Sequence, residues 1–239
     1  MHESSISPGL RSPRKLLLFL DSAEPRDWEK WLPCGIFQGV TTNPLLLERA
    51  GQVCSVSNLK SLAQTAYGLG AREIQLQTWG DTATEMVNTG KELAEPAAPG
   101  LETVIKIPAT TEGFVAAREL KDSGCRTTIT AVYTPGQVML AAGLGADYAA
   151  PYVGRLDDAG QDGIDIVTVM QEILRGTGAA TRLLTASLRS AAVVVDLAAR
   201  GLDTFTFGTA VAEELLTSNL TSTAASDFQR AAIAMGENK

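Results

Sequence analysis

Eight apolar, β-rich runs recur along the chain, each followed by a stretch with helical spacing, and this alternation limits the fold more than any other feature. The runs are 15–21 (KLLLFLD), 39–43 (GVTTN), 73–79 (EIQLQTW), 103–109 (TVIKIPA), 126–133 (RTTITAVY), 147–153 (DYAAPYV), 181–187 (TRLLTAS) and 204–208 (TFTFG). Between most of them lie segments such as SNLKSLAQTAYGLG, TEGFVAARELKDSG and SAAVVVDLAARG, with apolar residues three and four apart. Several of these close on a glycine just before the next run, where a helix C-cap belongs. Eight strands alternating with helices in 239 residues predict an α/β fold, a (β/α)8 barrel of the TIM type. A doubly wound open sheet is the alternative, and the absence of a GxGxxG loop weighs against its dinucleotide-binding form. Residues 1–14, polar with Ser, Pro and Gly, read as a disordered leader. Residues 15–239 read as one barrel domain, ending in a helical tail over 209–236.

Charge and residue counts remove whole classes of function. The net charge is −7, and the 20 Lys and Arg are scattered. No basic stripe predicts a nucleic-acid partner, and no apolar run is long enough to predict a membrane span. The single histidine, His2, lies in the leader. A Ser-His-Asp or Cys-His arrangement therefore has no imidazole in the barrel, and a His-ligated metal site is not expected. Cys34, Cys54 and Cys125 form no CxxC pair, so a reduced, cytoplasmic setting is expected.

In such a barrel the catalytic face is the C-terminal end of the strands, and side chains alternate between the interior and the helices. That parity groups Asp21 with Leu17 and Phe19, Thr41 with Asn43, and Gln75 with Gln77. It groups Lys106 with Val104 and Pro108, Thr128 with Thr130, Tyr148 with Tyr152, and Thr185 with Ser187, with Arg189 just beyond. Each residue alone also has a structural reading: Asp21 as a helix cap, Asn43-Pro44 as a turn, the threonines as ordinary strand residues. Lys106 could equally face the helices and snorkel outward. Pointing inward, a lysine kept from water is pushed toward its neutral form, and a neutral amine attacks ketones to give a Schiff base.

The segments LFLDSA (18–23), GVTTNPLLL (39–47), VIKIPAT (104–110), TAVYTPGQ (130–137), APYVGRLDD (150–158) and TASLRS (185–190) together resemble the transaldolase and fructose-6-phosphate aldolase family. Members are Schiff-base aldolases on (β/α)8 barrels. The resemblance implies that Lys106 is the Schiff-base lysine and that Asp21 transfers protons and bonds substrate hydroxyls. It implies that Thr41 and Asn43 face the substrate near the lysine and that Thr130 holds a catalytic water. Arg155, Arg189 and Ser187 correspond to the phosphate-binding groups, and guanidinium is suited to that task by its paired, charge-assisted hydrogen bonds. Gln77 and Tyr152 stand where transaldolases typically carry Glu and Phe, which points to the aldolase subgroup. The implied substrate is a sugar phosphate, fructose 6-phosphate, split into dihydroxyacetone and glyceraldehyde 3-phosphate. The alternative is transfer of the dihydroxyacetone unit to erythrose 4-phosphate in the pentose phosphate pathway. A third reading, remote from both, is a barrel that binds sugar phosphate without turnover. No cofactor and no metal are implied, and small relatives suggest a homo-oligomer, a pentamer or decamer. The chain departs from the family pattern at TASLRS, which lacks a following Asn, at the TFTFGTA strand, and at Trp79 in QTWGD.

Overall fold

A computed structural model describes residues 14–236. The eight expected strands are present: β1 (Leu17–Asp21), β2 (Gly39–Thr41), β3 (Glu73–Gln77), β4 (Glu102–Pro108), β5 (Arg126–Val132), β6 (Tyr148–Pro151), β7 (Arg182–Leu183) and β8 (Thr204–Phe207). All pair in parallel, in the order β7-β6-β5-β4-β3-β2-β1-β8. The ring closes between its two ends by one bridge, Thr185 to Phe205. Two backbone bonds hold that bridge, Thr185 N–H to Thr204 O (3.0 Å) and Thr206 N–H to Thr185 O (2.9 Å). The architecture is a (β/α)8 barrel.

The helices are α1 (Pro25–Trp31), α2 (Pro44–Arg49), α3 (Val56–Gly68), α4 (Ala83–Ala94), α5 (Thr111–Asp122), α6 (Pro135–Leu144), α7 (Val153–Asp158), α8 (Gly163–Thr177), α9 (Ala191–Ala199), α10 (Thr209–Leu216) and α11 (Asn219–Gly236). Most begin on a side-chain cap; Thr82 and Thr134 make full capping boxes with Glu85 and Gln137. Their apolar faces, including Leu59, Leu120, Val138, Met170 and Leu197, bury against the outside of the barrel. Two short helices, α2 and α7, were not anticipated, and both sit directly after a strand at the catalytic end. The expected tail over 209–236 consists of α10, which buries Val211 and Ala212, and α11, which buries nothing. Of the 1–14 leader only Arg14 is described, and it donates to the carbonyls of Ala179 and Thr181; the rest of that expectation lies outside the described residues.

The barrel interior is filled from below. Phe19, Val104, Tyr148, Ala150 and Leu184 form one buried cluster, with Leu17 and Tyr152 against it. At the N-terminal end the buried carboxylate of Glu73 accepts from Arg126 (2.9 Å), Tyr148 (3.2 Å) and Gln75 (2.8 Å). Arg126 also pairs with Asp147 and Glu102. Burial raises the Glu73 carboxyl above its usual range, and these partners work against the rise. Tyr148 thus belongs to the base of the barrel, not to its mouth. The parity assigned to strand 7 also fails. Leu184 faces the interior, so Thr185 alternates away from it, and its buried hydroxyl has no partner. β7 keeps regular pairing for only two residues, and the chain then twists to bring Ser187 into the site at a φ of 57°.

Candidate active site

A cavity of about 740 Å³ opens at the C-terminal ends of the strands. Asp21, Asn43, Lys106, Tyr152, Arg155, Ser187 and Arg189 line it, so seven of the residues singled out in the sequence converge there. Lys106 is central. Its position in β4 turns it inward, it is 4% exposed, and its Nζ donates to the carbonyl of Thr42 at 2.8 Å. The outward, snorkelling reading of Lys106 is therefore wrong.

Asp21 ends β1 beside Lys106 and does not cap α1; Glu24 does. Its Oδ1 accepts from Thr41 Oγ1 at 2.7 Å, and Thr41 in turn shares a hydrogen bond of 2.5 Å with Thr206 Oγ1. Thr41 is fully buried and stands behind Asp21, away from the cavity lining. Burial raises the Asp21 carboxyl above its ordinary range, while the Lys106 charge and the Thr41 hydroxyl act the other way. A carboxyl so placed can both give and take a proton.

Asn43 caps a helix where the sequence suggested a turn. Its Oδ1 caps α2, accepting from the N–H groups of Leu45 (3.0 Å) and Leu46 (3.1 Å), while the residue also lines the cavity. Across the barrel, Thr130 and Tyr152 join hydroxyls at 2.9 Å. The Tyr152 ring carries the Arg155 guanidinium 5.6 Å above its centroid and meets the Tyr133 ring edge-on. Arg189 forms a two-pronged ion pair with Asp158, which holds the Asp158 carboxyl below its usual range. Gln77 pairs in register with Lys106 but does not line the cavity, and Trp79 lines a separate depression.

Two non-glycine residues have positive φ among the described residues, Ala131 (56°) and Ser187 (57°). Ala131 follows Thr130 and sits where the β5–β6 register shifts, between Ile129 and Val132; Ser187 lines the cavity. Left-handed backbone at ordinary residues is uncommon and gathers at functional sites. Sequence reading missed Arg49, Tyr133, Asp158 and Thr206, which also line the cavity. The Thr206 signal was there, in the alternation of Thr and Phe along TFTF. Arg49 lies one helical turn beyond Leu45, but a six-residue helix is too short for that spacing to stand out. Among the described residues no three or more His, Cys, Asp or Glu side chains gather as a metal-ligand set.

A model of the family described as Transaldolase/Fructose-6-phosphate aldolase matches residues 18–238. The chain belongs to that family. Among its relatives, a probable transaldolase of Anaeromyxobacter dehalogenans is 36% identical over 203 residues, 85% of this chain and 90% of that protein. One from Moorella thermoacetica is 35% identical over 211 residues, covering 88% and 94% respectively. One from Bacillus cereus is 36% identical over 184 residues, 77% of this chain and 81% of that protein. The transaldolase/aldolase family is one of enzymes, and this chain is an enzyme of that aldolase or transaldolase type. No helix among the described residues is long and apolar enough to cross a membrane.

Proposed function

We propose that the chain is a Schiff-base aldolase acting on fructose 6-phosphate in the cytoplasm. The observation that carries this reading is Lys106, a buried amine at the floor of the cavity with the Asp21 carboxyl beside it. Its unprotonated Nζ adds to the C2 ketone, and loss of water leaves an iminium. A base takes the proton of the C4 hydroxyl; Asp21 is the nearest carboxylate, and a water held by Thr130 and Tyr152 is the other candidate. The C3–C4 bond then breaks, its electrons pass into the iminium, and glyceraldehyde 3-phosphate leaves. A dihydroxyacetone enamine remains on Lys106. Protonation of its carbon and hydrolysis of the iminium return the lysine and free dihydroxyacetone.

Each flanking group has a part in this scheme. Asn43 bonds substrate hydroxyls, and Thr41 holds Asp21 in place. Arg155, Arg189 and Ser187 take the phosphate. Gln77, in register with Lys106 but outside the lining, contributes through the water that serves the lysine. The joined hydroxyls of Thr130 and Tyr152 favour the aldolase outcome, because they can deliver a proton to the enamine. The second reading is transaldolase, transferring the same unit to erythrose 4-phosphate in the pentose phosphate pathway; the printed names of the relatives favour it. No cofactor enters either scheme. The uncovered helix α11 supports a homo-oligomer, pentameric or decameric. The test is release of free dihydroxyacetone from fructose 6-phosphate, with and without erythrose 4-phosphate. Release without acceptor supports the aldolase, turnover only with acceptor the transaldolase, and no turnover in either sinks both.

A further inference from the structure

The acidic chain leaves few guanidinium groups uncommitted. Arg118, Arg126, Arg182, Arg189, Arg200 and Arg230 all pair with carboxylates. Arg14 and Arg175 donate to backbone carbonyls. Of those whose side chains make no hydrogen bond within the described residues, Arg155 and Arg49 both line the cavity. Arg49 comes from α2, after β2. In a closed ring of eight strands that is the wall opposite α7, which carries Arg155. Leu45, Leu46 and Arg49 share one face of α2, and helical side chains lean toward the helix N-terminus. Arg49 thus stands on the face of α2 that lines the cavity.

Charge within the cavity gives Arg49 a task. With the reacting pair Lys106 and Asp21 set aside, the remaining charged lining groups are Arg49, Arg155, Arg189 and Asp158. Asp158 offsets Arg189 through their ion pair. Arg155 alone then faces a phosphate carrying about −1.5 to −2 charges near neutral pH. One further cation restores the balance, and Arg49 is the one present. We propose that Arg49 is a third phosphate-recognising guanidinium, reaching across the cavity mouth to the phosphorylated end of the substrate. The proposal rests on the sugar-phosphate reading given above and adds a residue that no motif in the chain marks. It also makes Asp158 a restraint, a carboxylate that competes with the ligand for Arg189.

The test compares the full-length wild type with Arg49→Gln, Arg49→Lys and Asp158→Asn. Binding of inorganic phosphate is followed by calorimetry, and the kinetics with fructose 6-phosphate are measured alongside. Loss of one charged hydrogen bond should weaken phosphate binding about tenfold in Arg49→Gln. The same factor should appear in KM for fructose 6-phosphate, with kcat little altered, and Arg49→Lys should recover part of it. Asp158→Asn should shift phosphate binding in the opposite direction. Unchanged phosphate affinity in Arg49→Gln overturns the proposal, as does an equal loss for phosphate-free dihydroxyacetone. If instead phosphate binding depends on Arg49 while no ketose phosphate is turned over, the catalytic reading falls and the phosphate assignment stands.

Discussion

Lys106, Asp21 and Tyr152 each support a test at the level of the single side chain. Borohydride added with fructose 6-phosphate should add mass to the peptide containing Lys106, and mass spectrometry of the digest reads it directly. Label on Lys60 or Lys121 would refute the assignment, and Lys106→Arg, which keeps the charge but cannot act as a neutral nucleophile, should be inert. Asp21 carries a stability consequence. Its carboxyl is raised above the ordinary range by burial, so between the unfolded-state and folded-state pKa values the folded chain holds a proton that the unfolded chain has lost. The stability this group contributes is therefore present in acid and is lost as pH rises through the folded-state pKa. Asp21→Asn removes the partly buried charge and keeps an oxygen to accept from Thr41. It should abolish turnover yet raise Tm at neutral pH by a few degrees, about 2–4 °C for each kcal/mol in a chain of this size. That gain should shrink on acidification, and a lower Tm at every pH would contradict it. Tyr152→Phe deletes the hydroxyl bonded to Thr130 and nearly preserves volume. Release of dihydroxyacetone should fall by roughly 10²–10⁴-fold and transfer to erythrose 4-phosphate by less; equal losses would make Tyr152 a spacer.

Among the elements, the regular strands were legible and the short helices were not. Apolar, β-rich runs alternating with helical spacing identified all eight strands, and parity within them could turn Lys106 and Asp21 toward the interior. Parity failed at strand 7, since only Arg182–Leu183 are regular and the backbone turns left-handed at Ser187; alternation holds only while the pleat does. α2 and α7 were invisible because six residues make less than two turns, yet they carry Arg49, Arg155 and Asp158. The ion pair between Asp158 and Arg189 spans 31 positions in the chain, a separation that no local pattern reports. α7 offers its own test. A Cβ at Gly154 would lie 2.5 Å from the carbonyl of Ser187 and 2.7 Å from Nε of Arg189. Gly154→Ala should therefore push the first turn of α7 off the β7 exit and displace two phosphate contacts together. KM for fructose 6-phosphate should rise roughly tenfold or more, as expected for losing a charged hydrogen bond, with the barrel's circular dichroism retained. An unchanged KM would show that the turn accommodates the methyl group.

At the scale of the whole molecule, one helix stands uncovered among the described residues. α11 buries no residue and leaves Leu220, Phe228 and Met235 largely exposed. With Ala224 and Ala231 these fall on one stripe. An apolar stripe of this kind is expected to be covered by another chain. Light scattering of the full chain should give a multimer, and removal of residues 218–239 should give a smaller species with an intact barrel; a full-length monomer would exclude the role. The ring of strands has its own weak point. Seven of its joins are ladders, and the eighth is the single bridge between Thr185 and Phe205, directly below Ser187 and Arg189. The barrel resembles a bracelet fastened by one clasp, and the clasp lies beneath the site where the phosphate is expected to sit. In deuterium exchange the amides of Thr185 and Thr206 should open before those of the β3–β4–β5 ladders, and bound sugar phosphate should slow them by latching the clasp shut. Substrate would then act on this fold as a fastener as well as a reactant.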